Sequence, residues 1–217
     1  MKNRAVKICE MFTSIQGESS YAGQPCTFVR LTGCNLRCSY CDTQYAFEEG
    51  REIEVDTIVD YVKKAGLPLV EITGGEPLLQ GQGLQVLTGS LLDNGFKMLI
   101  ETNGSLSIRD LDTRVVIILD LKTPGSGMAE KNDFSNLEYL KASDEIKFVI
   151  RDREDYEWSK EIMERYDLGS RYILLFSPVT GLVEPRKLAD WIIEDRLPVR
   201  LNLQLHKYIF DPNERGV

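Results

Sequence analysis

The chain has 217 residues, with 26 Lys and Arg against 34 Asp and Glu and a formal net charge of -8. That length suits one domain with a real core, and the acidic balance excludes electrostatic capture of nucleic acid or of an anionic membrane surface, leaving a small molecule as the better substrate. No apolar run reaches the ~20 residues of a spanning helix, and the opening MKNRAVKICEMF lacks the apolar segment of a secretory signal. Five cysteines, three of them crowded together, then read as a cytoplasmic protein in a reducing compartment rather than a disulfide scaffold.

Two strand-like runs, near residues 6–12 and 27–31, open the chain. CNLRCSYC follows, placing Cys34, Cys38 and Cys41 within eight residues. Three thiolates so spaced hold three corners of an iron–sulfur cube, and no fourth cysteine stands nearby for the last, so one iron is open to a ligand. Zinc is the rival, but a structural zinc site needs four closed positions, and Cys9, Cys26 and the only histidine, His206, have no partner in sequence.

Beyond the cysteines, Val55, Ile58, Val59 and Val62 fall on one helical face. A strand over 69–72 follows Pro68. A helix through Leu84, Val86, Leu87, Leu91 and Leu92 ends at Asn94-Gly95 before a strand at 98–100. Further strands are expected at 114–119, 145–150, 172–176 and 199–205, with helices over 154–166 and 185–194, the latter with proline in its first turn. Residues 123–133, TPGSGMAEKND, read as a mobile loop. Alternating strands and helices imply a parallel sheet, and six such strands are too few for a closed eight-stranded barrel. The expected fold is therefore α/β, a partial, open TIM-like barrel of about six parallel strands, forming a single domain over 1–217. Polar residues follow five of these strands, as TGGEP, ETNG, DLKTP, FSP and QLHK, which aims them at one mouth. Taken singly, each also reads as a helix cap or turn.

The CxxxCxxC spacing with Tyr40 before the last cysteine, followed by GGEP, resembles the radical S-adenosylmethionine enzymes. More narrowly, FTSIQGES (12–19), TFVRLTGCNLRCSYCDT (27–43), EITGGEPLLQ (71–80), ETNG (101–104), EIKFVI (145–150) and QLHKYI (204–209) resemble the 7-carboxy-7-deazaguanine synthases of the queuosine (7-deazapurine) pathway. These pieces run in order over nearly the whole chain.

The resemblance implies a radical SAM domain with a 4Fe-4S cluster on Cys34, Cys38 and Cys41 and S-adenosyl-L-methionine on its open iron. Gly74 and Gly75 let backbone approach the methionine moiety, and Glu76 offers a carboxylate to its ammonium group, although a strand-to-helix turn uses the same glycines. Tyr40, Cys41 and Asp42, then Glu101, Thr102 and Asn103, and finally Asp120, Leu121 and Lys122 are implied around the same cofactor. Asp42 also reads as a helix cap and Lys122 as a solvated charge. The implied substrate is 6-carboxy-5,6,7,8-tetrahydropterin, converted with ring contraction and loss of ammonia after a 5′-deoxyadenosyl radical takes hydrogen from carbon 6. No protein acid or base is assigned.

Around that substrate the resemblance implies the backbone of Ile15, Gln16 and Gly17, the planar fork of Arg30, Thr73, Gln204 and His206, and a magnesium ion, Mg2+, held partly by Thr43. The carboxylate of Val217 either folds back toward the pterin or belongs to a frayed terminus. Glu18 either caps or contacts substrate, and Lys147 and Ser177 stand near the cofactor. An electron donor such as flavodoxin or ferredoxin and a homodimer are also implied. Two other readings compete. One is an activase acting on a glycyl-radical partner, which has no use for SIQGE or CDT. The other is a zinc or electron-transfer module.

Overall fold

The computed structural model describes residues 4–211 and 214–217. Strands β1 (Ala5–Ile15) and β2 (Pro25–Leu31) form an antiparallel hairpin in which Ile15 faces Pro25, and β3 (Arg51–Glu54) pairs along the far side of β1. From β2 the sheet continues in parallel through β4 (Leu69–Gly74), β5 (Lys97–Thr102), β6 (Val116–Leu121), β7 (Glu145–Ile150), β8 (Ile173–Pro178) and β9 (Arg200–Leu201). The nine strands run in the order β3-β1-β2-β4-β5-β6-β7-β8-β9, so the sheet is open, with β3 and β9 at its edges. Each expected strand has a counterpart, shortened at 199–205, and the run at 27–31 joins the parallel set as its first member.

Helices α1 (Val55–Ala65), α2 (Gln82–Asp93), α3 (Arg153–Arg165) and α4 (Pro185–Asp195) carry the crossovers. Val55, Ile58, Val59 and Val62 of α1 are buried against one side of the sheet beside Val29, Val70 and Ile72. Each such side chain is worth ~1.5–3 kcal/mol. Gly66, in the left-handed region at φ 72, ends α1, as Asn94-Gly95 ends α2. Tyr156 and Ile162 of α3 and Leu188 of α4 fill a second cluster with Phe148 and Phe176.

Period-two alternation sends the other side chains of these strands to the opposite, helix-free face. There Cys26, Phe28, Leu69, Leu99, Val116, Ile118 and Leu175 form an apolar floor. Two residues further along their strands stand Arg30, Glu71, Glu101, Asp120 and Ser177, with Thr73 two beyond Glu71 and Lys147 of β7 beside Asp120. An apolar layer thus gives way to a polar one on the face that carries the strand ends.

Three expectations need correction. Residues 199–205 supply only the two-residue β9, because the chain leaves the ladder at Asn202 and turns into the short α5 (His206–Ile209). β3 was not expected, since REIE is exposed and charged, as edge strands commonly are. Residues 123–133 are folded into 3-10 turns at Pro124–Ser126 and Ala129–Lys131, with Thr123 and Ser126 buried. Among the described residues no helix is long and apolar enough to cross a membrane.

Candidate active site

Cys34, Cys38 and Cys41 lie in the irregular loop after β2, all three free and half-buried. The loop rests on the ends of neighbouring strands. Gly75 N–H donates to the Leu31 carbonyl at 3.2 Å and Glu76 N–H to that of Gly33 at 2.7 Å. A Cβ on Gly75 would overlap the Gly33 carbonyl and stand 2.9 Å from Cys34 Cβ, so this approach requires glycine. Gly74, at φ 143, is equally confined against Leu31. On the far side Ser39 N–H donates to the Ser126 carbonyl at 3.0 Å and Ser39 Oγ to that of Gly125 at 2.7 Å.

Glu76 is fully buried, and its carboxylate accepts from Leu78 N–H at 3.0 Å, Thr102 Oγ1 at 2.8 Å and Asn103 N–H at 2.7 Å. It therefore braces the end of β4 to the end of β5. Glu76 and Thr102, both expected beside the cofactor, are thus bonded to each other at the adjoining strand ends. The Leu121 side chain lies in the core cluster with Leu119, Ile146 and Phe148. Asn103 does turn toward the cysteines, with Nδ2 3.8 Å from Cys34 Sγ and 3.1 Å from Asn35 Oδ1.

Among the described residues no three His, Cys, Asp or Glu side chains already converge on a metal position. The chemistry of the donor set nevertheless fits a three-thiolate cluster. Three free thiols share one loop within electrostatic reach of each other, and Leu36 N–H and Asn103 Nδ2 point at the Cys34 sulfur. Burial raises the Cys38 and Cys41 thiols above their ordinary value, while Lys122 opposes it. Lys122 is itself buried, not solvated; it pairs with Asp120 at 2.8 Å. Burial, with Asp120 behind it, pushes the Tyr40 phenol up to about 12.

The polar layer is a charged network. Lys147 Nζ pairs with Glu18 at 2.9 Å and with Glu101, and lies 3.7 Å from Asp120. Burial alone would lower the Lys147 pKa, yet these carboxylates carry it well above its ordinary value. Arg30 and Thr73 are register partners on β2 and β4, and Arg30 Nε donates to Glu10 at 2.7 Å. The turn after Ile15 spans this face. Gln16 reaches Glu71, Ser19 N–H donates to Asn202 at 2.8 Å, and Ser20 bonds Glu145. Leu205 N–H donates to the Gly17 carbonyl at 2.9 Å, which packs Gly17 against the His206 ring. Burial lowers the His206 pKa, with Glu18 opposing.

Asp42 and Thr43 lie beside α5. Thr43 Oγ1 donates to Asp42 Oδ1 at 2.9 Å, and Lys207 pairs with Asp42 Oδ2 at 2.8 Å. Burial favours the neutral acid, but Lys207 outweighs it and lowers Asp42 to about 2. Gln204 also bonds Asp42 and lies 3.4 Å from Thr180 Oγ1. Val217 is half-buried, and its neighbour Gly216 lies close to Phe12, next to Arg30.

A cavity of about 440 Å³ opens beside the cysteine loop, lined by Tyr40, Cys41, Asp42, Arg151, Val179 and Thr180 among others. Val179 and Thr180 come from the segment after β8 that the sequence left unmatched; their one signal was their place beyond a strand's carboxyl end. Glu71 was also missed, since it reads as one polar residue in an apolar strand.

Residues 28–168 match the model of the Radical SAM superfamily. A 7-carboxy-7-deazaguanine synthase from Koribacter versatilis (strain Ellin345) is 45% identical over 98% of this chain and 100% of its own length. One from Chlorobaculum tepidum is 46% identical, covering 98% of this chain and 97% of the relative. Among solved structures, the crystal structure of QueE from Escherichia coli superposes with a TM-score of 0.77 at 25% identity, over 93% of this chain and 95% of that one.

Proposed function

The chain belongs to the radical SAM superfamily and, within it, to the 7-carboxy-7-deazaguanine synthases, and we propose that it forms 7-carboxy-7-deazaguanine from 6-carboxy-5,6,7,8-tetrahydropterin with loss of ammonia. The observation that carries this reading is the seating of a three-cysteine loop on the Gly74-Gly75 strand end, beside a polar face that the turn at 15–17 spans. When bound, the 4Fe-4S cluster and S-adenosylmethionine supply the electron and the hydrogen-abstracting radical.

The chain's own residues bind, orient and exclude water. Cys34, Cys38 and Cys41 hold the cluster. Backbone at Gly74 and Gly75 admits the methionine moiety, and Tyr40, Asp42, Glu101, Asn103 and the main chain over 120–122 surround the rest, with Val179 and Thr180 as additional walls. Arg30 holds the substrate carboxylate through the part of its fork not given to Glu10. Backbone at Ile15, Gln16 and Gly17, with Thr73, Gln204, His206 and Val217, meets the ring's donor and acceptor edge. Thr43 supplies one hard oxygen to Mg2+, which keeps most of its shell from substrate and water. The ring must be fixed in one pose, because so reactive an intermediate attacks whichever bond lies nearest.

The domain acts as a single unit over 1–217, in the cytoplasm, as a homodimer, with flavodoxin or ferredoxin as reductant. The test is anaerobic turnover: reconstituted protein with the pterin, S-adenosylmethionine, Mg2+ and a reductant forms the deazaguanine without net consumption of S-adenosylmethionine. Cleavage of S-adenosylmethionine with no deazaguanine product overturns the reading.

A further inference from the structure

Glu71 sits on the inward face of β4, between Leu69 of the apolar floor and Thr73 of the substrate pocket, and is 3% exposed. A carboxyl group so placed is costly unless it is held by hydrogen bonds or a cation. The nearby cations are committed elsewhere, Lys147 to Glu18 and Glu101, and Arg30 to Glu10. What Glu71 has is the side-chain amide of Gln16, whose Nε2 donates to Glu71 Oε2.

Gln16 is 3% exposed as well, and its other end is also occupied, with Oε1 accepting Glu18 N–H at 2.7 Å. Its main chain exchanges bonds with Gln24 and Gly23 at 2.8 Å each, closing the base of the turn. Among the described residues the hydrogen bond from this turn to β4 is thus made by a side chain pointing inward. The turn's far side is fixed by the Gly17 carbonyl to Leu205 and by Ser19 to Asn202. Without Glu71 the turn keeps its hairpin base and its ties on the β7–β9 side, and loses its side-chain anchor on β4.

We propose that Glu71 is a positioning residue for substrate: through Gln16 it sets the height at which the backbone of residues 15–17 meets a flat, amino- and amide-edged heterocycle. This rests on the reading that the turn contacts the pterin. Burial first, then the charges of Glu101 and Glu18, raise the Glu71 carboxyl well above its ordinary value against Lys147 and Arg30, so a neutral residue of the same shape is tolerated here. An amide at this position still offers Gln16 an oxygen. A leucine fills the volume and offers nothing.

The test compares Glu71→Leu, Glu71→Gln and Gln16→Ala, with the double variant Glu71→Leu/Gln16→Ala, in anaerobically reconstituted full-length enzyme. Pterin KM and kcat, substrate-free cleavage of S-adenosylmethionine, and iron per chain are read for each. In Glu71→Leu the KM rises about tenfold, the worth of one buried hydrogen bond, with iron content and substrate-free cleavage unchanged. Glu71→Gln stays within about threefold of the parent, and the double variant is no worse than the poorer single one. A parental KM in Glu71→Leu, a Glu71→Gln as poor as Glu71→Leu, additive effects in the double variant, or a Glu71→Leu that fails to fold while Glu71→Gln binds poorly each overturn the inference. A parent enzyme that cleaves S-adenosylmethionine but never turns over the pterin overturns the proposed function, and this inference with it.

Discussion

The carboxylate of Asp155, in the first turn of α3, accepts the Gly125 N–H at 2.7 Å, and Gly125 in turn accepts Ser39 Oγ from the cysteine loop. The same carboxylate takes Arg151 N–H at 3.0 Å and is fully buried. Asp155→Ala leaves two part-buried donors without this partner, at up to about 1 kcal/mol each. A lower urea midpoint and faster loss of iron from the reconstituted protein are expected; an unchanged iron-loss rate contradicts the tether.

Gly75→Ala attacks the other side of that loop. The added methyl group meets the Gly33 carbonyl and Cys34 Cβ, so the loop has to move off the strand end. Far-ultraviolet circular dichroism should stay parental while iron and sulfide per chain drop. Full loading with normal cleavage of S-adenosylmethionine would show that the close approach is dispensable.

Lys147→Met leaves Glu18, Glu101 and Asp120 facing one another on a buried face without their common cation. Removing one partner of such a group costs about 3–5 kcal/mol. Chemical denaturation measures it, and a loss below about 1 kcal/mol would mean the network behaves like an exposed ion pair.

Glu71 also gives stability a direction with pH. Its folded pKa lies well above the ordinary 4.5 of a glutamate, so above that pH the unfolded chain releases a proton that the native state keeps. Stability then falls as pH rises, by up to ~1.4 kcal/mol per unit until the folded group ionises. Lys147, raised above 10.5, keeps its full contribution throughout this window. As pH rises above about 4.5, the urea midpoint of the parent should decline more steeply than that of Glu71→Gln; parallel curves would refute it.

Thr43→Ala removes a hydroxyl that now bonds Asp42. If that hydroxyl is a magnesium ligand, the Mg2+ concentration giving half-maximal turnover rises about tenfold or more while iron content holds. An unchanged magnesium dependence removes Thr43 from the metal.

Much of the architecture was legible because it is local. The Val55, Ile58, Val59, Val62 stripe, the Asn94-Gly95 stop and the β-branched runs each report a period or a φ requirement within a few residues. Strand β6 was placed two residues early because Arg114 is taken up in a turn with Asp112 and Asp93. The last strand was overlong because nothing local marks Asn202 as the last residue bonded to β8, its side chain tied to Ser177 and Ser19.

By itself the sequence determined that three thiols crowd one loop, that glycines follow the next strand, and that polar residues end successive strands; covalent spacing alone decides such things. Which polar groups pair with one another was decided only by the tertiary structure. Glu76 and Thr102 turn inward on each other, and Glu71 finds Gln16 across 55 positions. Lys147 gathers Glu18 across 129. Those pairings depend on the order and stagger of nine strands, a property of the whole sheet that no window of residues contains.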